Sequence, residues 1–129
     1  MTILLLEPNR LLAKQYSEFL EQNGHKVVWR QNAQSGIGAA DEQKPDLVIA
    51  ELLLTGHSGV EFLYEFRSYG DWQNIPVILL ASVDRSEAGV SLEALKELKV
   101  GAYFYKPEMK LADLAKTALL LTKVNKRQT

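Results

Sequence analysis

Short apolar runs alternate with segments of helical periodicity five times along this chain. The runs predict five strands, at residues 3–6, 25–29, 46–50, 76–81 and 101–105. The segments that follow them repeat apolar positions every three or four residues and predict helices at 9–23, 33–41, 84–99 and 108–124, with one more opened by a Ser58–Glu61 capping box. Strands without polar alternation are buried on both faces, so we predict a three-layer α/β sandwich with five parallel strands.

The length predicts one domain. A chain of 129 residues is close to the most common domain size. We place the domain at residues 1–122. Residues 123–129 are basic and polar, and we interpret them as a fraying tail or the start of a linker.

Charge and cysteine content exclude several classes of function. The net charge is −1, from 15 basic and 16 acidic residues, so no general attraction to nucleic acid or to an anionic membrane is expected. The absence of cysteine excludes disulfides and thiolate sites. No apolar run approaches the roughly 20 residues that span a bilayer, and the N-terminus lacks the features of a signal peptide. We therefore expect a soluble, cytoplasmic domain.

Polar side chains follow four of the predicted strands at their carboxyl ends. In an open parallel sheet, ligands bind at that edge, where the strand order reverses. The side chains there are Glu7 with Pro8 and Asn9, then Glu51, Ser82 and Lys106. The sequence thus predicts that two carboxylates, a hydroxyl and an ammonium converge.

Four segments carry a resemblance to a known family. "ILLLEPN", "PDLVIAELLLTGHSG", "IPVILLAS" and "GAYFYKP", in this order, resemble the receiver domain of response regulators in two-component systems. The resemblance implies a doubly wound, flavodoxin-like fold. It also implies an acidic pair for Mg²⁺ after the first strand, an aspartate that accepts phosphate after the third, a hydroxyl after the fourth, and a lysine after the fifth.

Mapped onto this chain, the family's site is only partly intact. The matching positions are Glu7 and Pro8 for the acidic pair, Glu51 for the phospho-acceptor, Ser82 for the hydroxyl, Tyr103 for the switch aromatic, Lys106 for the lysine and Gly59 for the small residue that opens the third helix. Thr55 stands where proline is usual. The positions that hold metal and accept phosphate are therefore the altered ones.

The departures weaken phosphoryl chemistry. Pro8 supplies no side-chain oxygen, and Asn9 is expected to cap the first helix, so Mg²⁺ binding is expected to be weak, with Glu7 and Glu51 as weak candidate ligands. A glutamate moves the carboxylate by about 1.5 Å, which disturbs a reaction that depends on positioning. We expect no phosphorylation of Glu51 and no resident cofactor. A charge-assisted contact from Glu51 to Lys106, of about 1.5–3 kcal/mol, would hold one state.

We interpret the chain as a pseudo-receiver, not an enzyme, that acts through phosphorylation-independent protein contact. A working phosphotransfer receiver and a small-molecule sensor remain alternatives. Glu51 could also be a simple buried partner of Lys106, Ser82 a helix cap, and Tyr103 a packing residue.

The resemblance also implies a partner surface. It is formed by the fourth helix, fifth strand and fifth helix, and it would bind a protein partner or a second copy; a sensor histidine kinase is the upstream partner implied. Leu119 to Leu121 cannot all face one side of the last helix. An exposed Leu120 would favour a docking patch over a broad core stripe.

Overall fold

The computed structural model describes residues 1–54, 56 and 58–128. Thr55, the residue at the usual proline position, lies outside the described residues. The part of the chain that the structure describes contains five strands: β1 Thr2–Leu6, β2 Lys26–Arg30, β3 Leu47–Glu51, β4 Val77–Ala81 and β5 Val100–Tyr105. They form one sheet in the order β2-β1-β3-β4-β5, and all neighbouring pairs are parallel. The prediction of a five-stranded parallel sheet is confirmed.

Among the described residues, six α-helices surround the sheet: α1 Arg10–Gln22, α2 Ala33–Glu42, α3 Gly59–Ser68, α4 Arg85–Ala88, α5 Leu92–Glu97 and α6 Leu111–Gln128. Two cores result, one on each face. Residues of α2, α3 and α5 pack on one face, and residues of α1 and α6 pack on the other. Because every residue of β3 and β4 is buried, these strands are apolar throughout. The half-buried β2 lies at an edge of the sheet.

The predicted helix at 84–99 is wrong as a single element. Gly89 adopts the left-handed conformation, with a φ of 72°, and ends α4 after one turn. Ser91 then caps α5 by accepting a hydrogen bond from the Ala94 N–H. A glycine stop followed two residues later by a serine cap therefore splits the segment in two.

The last helix differs from its prediction at both ends. Lys106–Glu108 forms a 3₁₀ turn that contains Pro107, so α6 begins at Leu111 instead of residue 108. It then continues to Gln128, so the helix includes residues 123–128 of the segment that we interpret as a tail or the start of a linker. No helix among the described residues has the length and apolar character needed to cross a membrane.

Candidate functional site

Three charged side chains meet at the carboxyl edge of the sheet. Glu7 follows β1, Glu51 ends β3, and Lys106 follows β5. The Lys106 Nζ lies 2.5 Å from Glu7 Oε1 and 2.6 Å from Glu51 Oε1. The predicted contact between Glu51 and Lys106 is therefore present, and Glu7 shares the same ammonium. We call these three residues the charged trio.

The second oxygen of each carboxylate is also bound. Glu51 Oε2 accepts a hydrogen bond from the Leu53 N–H at 2.8 Å, and Glu7 Oε2 accepts one from the Asn9 N–H at 3.1 Å. Glu7 and Glu51 are only 1% and 4% exposed. All four carboxylate oxygens therefore have a donor, which is what burial of such groups demands.

The electrostatics of the site follow from this burial. Burial alone would lower the pKa of Lys106, but hydrogen bonds and charge attraction from Glu51 and Glu7 raise it above its ordinary value. The Lys106 ammonium is thus held in its charged form. The trio also affects the hydroxyl of Tyr16 in α1. Burial raises the pKa of this hydroxyl, the charge of Lys106 lowers it, and the charges of the two carboxylates raise it.

A tight return of the chain fixes the backbone of Glu51. The Gly59 N–H donates to the Leu52 carbonyl at 2.6 Å. A Cβ at position 59 would lie 2.6 Å from the Glu51 carbonyl oxygen, so only glycine fits without a shift. Ser58 accepts a hydrogen bond from the Glu61 N–H at 3.0 Å and caps α3 as predicted.

The donor set does not fit the Mg²⁺ ion that the family resemblance implies. Pro8 offers no side-chain oxygen, and the Asn9 Oδ1 caps α1 by accepting from the Leu12 N–H at 3.0 Å, as predicted. Glu7 and Glu51 have their oxygens committed to Lys106 and to backbone amides. Within the described residues, no group of three or more histidines and carboxylates is placed to hold a metal ion.

Ser82 directly follows β4, the strand next to β3, and Tyr103 lies on β5. Ser82 is exposed after β4, and Asp84, not Ser82, caps α4, so the interpretation of Ser82 as a helix cap is wrong. The half-buried Tyr103 donates its hydroxyl hydrogen to the Val83 carbonyl at 2.9 Å. Burial raises the pKa of Tyr103, and the nearby Glu51 charge raises it further. Tyr103 therefore connects β5 to the loop after β4.

Sequence reasoning missed three parts of the site. The Leu53 amide that holds Glu51 is a backbone group, so no residue type signals it. The Trp29 Nε1–H donates to the Glu7 carbonyl at 2.9 Å from the edge strand, although tryptophan at an edge usually indicates packing. Tyr16 belongs to the apolar stripe of α1 and gave no polar signal.

The three leucines near the end of α6 divide between core and surface. Leu121 is half-buried and its side chain covers Gly101, where a Cβ would lie 2.8 Å from Leu121. Leu119 and Leu120 are 43% and 54% exposed. The exposure of Leu120 is the observation that favours a docking patch.

Comparisons with known proteins agree on one family. Residues 3–118 match the model of the response regulator receiver domain. The KDP operon transcriptional regulatory protein KdpE of Escherichia coli is 32% identical over 93 residues, 72% of this chain and 39% of that protein. The phosphate regulon transcriptional regulatory protein PhoB of E. coli is 28% identical over 107 residues, 81% of this chain and 44% of that protein. The chain thus spans less than half the length of these relatives.

Solved structures support the same fold. A CheY-like response regulator receiver domain protein from Methanospirillum hungatei JF-1 superposes with a TM-score of 0.88 at 16% identity, covering 99% of this chain and 98% of that one. The receiver domain of a signal transduction histidine kinase from Syntrophus aciditrophicus gives a TM-score of 0.82 at 23% identity, covering 95% of this chain and 89% of the other. The chain belongs to the response regulator receiver domain family of two-component signalling.

Proposed function

We propose that this receiver domain signals by protein–protein contact without being phosphorylated, with Glu51 in place of the acceptor aspartate. The observation that carries the proposal is the engagement of the Glu51 carboxylate by Lys106 at 2.6 Å and by the Leu53 N–H at 2.8 Å. A carboxylate that attacks phosphorus must offer an unshielded oxygen in line with the leaving group. Both oxygens of Glu51 are committed to donors.

The surroundings of Glu51 give phosphoryl transfer little support. Among the described residues, the surroundings of Glu51 offer no donor set that suits a divalent ion, because Pro8 supplies no side-chain oxygen. Asp46 cannot act as a substitute acceptor, since it binds the Thr2 N–H at 2.7 Å at the opposite, amino end of the strands. Phosphoryl transfer relies on a metal ion to neutralise developing charge. The domain is therefore a fixed conformer and not a phosphorylation switch.

The proposed output surface runs from α4 across β5 to α6. A cavity of about 300 Å³ there is lined by Arg85 of α4, Tyr103 and Tyr105 of β5, Asp113 of α6, and Met109, which lies between β5 and α6. Leu120 follows Asp113 by seven residues and lies on the same face of α6. An exposed leucine on the same helix face as a cavity lined by aromatic residues suits contact with a protein, either a second copy or another partner.

A working phosphotransfer receiver is the second candidate, because family membership favours it. Incubation with acetyl phosphate and Mg²⁺, followed by intact-mass analysis, separates the two. We expect no added phosphoryl group on the natural chain. The matched control is the double variant P8D/E51D, which rebuilds the acidic pair and the aspartate and is expected to become labelled. Labelling of Glu51 in the natural chain would overturn the proposal.

The interaction half of the proposal needs its own test. Self-association or binding to an isolated partner, measured by sedimentation velocity, should not change after acetyl phosphate treatment. The variant L120K should weaken that association. L11K is the matched control, since Leu11 is 65% exposed at the start of α1, a helix that is not part of the proposed surface. Association that appears only after treatment with the phosphate donor would contradict the proposal.

A further inference from the structure

A polar cavity lies at the amino ends of β4 and β5, at the edge of the sheet opposite the charged trio. It encloses about 170 Å³ and is lined by two cations, three side-chain amides and several apolar residues. The cations are Arg67 and Lys99, and the amides are Gln73, Asn74 and Asn125. None of the described residues that line this cavity is a carboxylate. The cavity is therefore positive, although the chain as a whole has a net charge of −1.

Arg67 of α3 lines this cavity without an ion-pair partner among the described residues. Its guanidinium donates to three backbone carbonyl oxygens instead: to Leu98 at 2.8 Å, to Trp72 at 2.7 Å and to Lys99 at 3.3 Å. Burial lowers the pKa of Arg67 to about 10, so the group stays charged at neutral pH. A guanidinium carries five N–H donors, so two remain for a further acceptor.

The backbone of Lys99 fixes the second cation beside the first. Its φ of 55° lies in the left-handed region, which a lysine adopts at a cost, and such strained positions cluster at ligand-binding sites. The Lys99 carbonyl accepts the bond from Arg67, and the Lys99 Nζ donates to the Asn74 Oδ1 at 3.4 Å. The ammonium therefore keeps two N–H donors for a ligand, and the Asn74 oxygen is turned towards the lysine.

The amides of Gln73 and Asn125 add donors that the fold does not use. Neither side chain makes a hydrogen bond within the described part of the chain. Two negative features oppose the cations. The carboxyl end of α6, which carries Asn125, contributes about half a negative charge, and Asp71 lines an adjoining cavity. Two full positive charges inside the cavity outweigh the helix end, and the carboxylate of Asp71 is not among the groups that line it.

We propose that this cavity binds a small tetrahedral oxyanion of the phosphate or sulfate class. Two cations with no carboxylate between them favour an anion, and the fork of a guanidinium matches such an ion. The spare donors of Arg67, Lys99 and the amides outnumber what the two oxygens of a carboxylate accept, so an ion with four oxygens fits better. A volume of about 170 Å³ is below the roughly 300–1,000 Å³ of pockets for larger ligands.

A bound oxyanion would join four parts of the fold. It would contact α3 through Arg67, the turn before β4 through Asn74, the start of β5 through Lys99, and α6 through Asn125. Because the unfolded chain does not bring these groups together, the ion should raise the stability of the folded state. The inference is independent of the proposed function, since it concerns the opposite edge of the sheet.

The test titrates inorganic phosphate into the ¹⁵N-labelled natural chain, with sodium chloride used to keep the ionic strength constant. The amide signals of Lys99, Gly101 and Asn125 should shift and then saturate. The midpoint of thermal unfolding should rise by about 5 °C at a phosphate concentration about tenfold above the dissociation constant. Sulfate should shift the same signals, and acetate should bind at least about tenfold more weakly.

Two variants and a matched control connect the binding to these side chains. Lys99→Asn removes one cation and keeps a residue that tolerates the left-handed conformation, so the fold is retained. It should weaken phosphate binding about tenfold or more, because a charge-assisted contact is lost. Asn125→Ala removes an amide that the fold does not use and should weaken binding about threefold. Lys14→Asn removes the same charge from an exposed position of α1 and should leave the dissociation constant unchanged.

The opposite outcomes each overturn the inference. Shifts that do not saturate, with an equal rise in the unfolding midpoint of every variant, would mean that phosphate is excluded from the whole surface and occupies no site. Saturating shifts confined to Glu7, Glu51 and Lys106 would place the anion at the charged trio. Equal weakening by K99N and K14N would assign the binding to overall charge, and acetate binding as tight as that of phosphate would refute a tetrahedral ligand. None of these results bears on phosphorylation of Glu51, which intact-mass analysis tests separately.

Discussion

Replacement of Lys106 by methionine should destabilise the domain far more than loss of an exposed lysine. The substitution leaves Glu7 and Glu51 buried, each without its shortest hydrogen bond. Breaking a buried pair by removal of one partner costs about 3–5 kcal/mol. At about 4 °C per kcal/mol for a domain of this size, the midpoint of thermal unfolding should fall by about 12–20 °C.

Glu51→Gln should lower the free energy of unfolding by less than Lys106→Met does. The two carboxylate oxygens of Glu51 accept from Lys106 and from the Leu53 N–H. A glutamine amide has one acceptor and one donor end, so one of those two donors loses its partner, at about 1–3 kcal/mol. The formal charge of the trio also falls to zero, which limits the penalty. The double variant K106M/E51Q should then lose about 1.5–3 kcal/mol less than the sum of the single variants.

Urea unfolding followed by tryptophan fluorescence measures these free energies, because the buried Trp72 reports loss of the core. Lys14→Met is the matched control: Lys14 pairs with Glu18 at 3.9 Å with both side chains mostly exposed, and its loss should cost no more than about 0.5 kcal/mol. Equal losses in K106M and K14M, or a coupling energy indistinguishable from zero, would refute the assignment of Lys106 as a buried counter-ion.

Three other predictions concern backbone fit and pH. Gly59→Ala should lower the free energy of unfolding in urea by about 1–3 kcal/mol, because its Cβ would lie 2.6 Å from the Glu51 carbonyl oxygen. Gly38→Ala, which has open space around it in α2, should raise that free energy by about 0.5–1 kcal/mol. Equal effects of the two substitutions would contradict the close approach at Gly59. Lys99 has a φ of 55°, so Lys99→Gly should raise the free energy of unfolding by about 1 kcal/mol, and a loss would show that no strain is relieved. Burial and the N-terminal amine lower the pKa of His25, so its contribution to stability is present above pH ~6.5 and is lost as the pH falls through the folded-state value. His25→Gln should therefore flatten the acid side of the stability profile, and an unchanged profile would contradict this.

The fold was largely predictable because its strands leave a simple pattern. β3 and β4 are buried throughout, so their apolar runs have no polar interruption. The prediction of a single helix at 84–99 was wrong because the apolar periodicity continues past Gly89 and Ser91, where the helix is interrupted. Both residues carried the signal: glycine ends a helix in the left-handed conformation and serine begins one. Had these two capping signals been given more weight than the apolar periodicity, the break between α4 and α5 would have been predicted.

The site was predictable only to the level of side chains that end strands. Sequence placed Glu7, Glu51 and Lys106 at one edge because parallel strands bring their carboxyl ends together. It could not show that a single ammonium serves both carboxylates. The Leu53 amide escaped prediction as well, because a backbone donor depends on how the loop after β3 folds back onto the strand.

Stability alone does not account for retention of the charged trio. Buried ion pairs are often no more stabilising than apolar residues of equal volume, since desolvation offsets the attraction. A trio that is one negative charge out of balance is less favourable still. What it provides is a fixed geometry: the ammonium positions the end of β3 against the end of β5, next to the bond from Tyr103 to the Val83 carbonyl. Disruption of the trio should therefore loosen the loop after β4 and the surface of α4, β5 and α6 more than the distant core. In Glu51→Gln, backbone amide hydrogen exchange should accordingly become faster in that loop and surface while the core amides keep their protection.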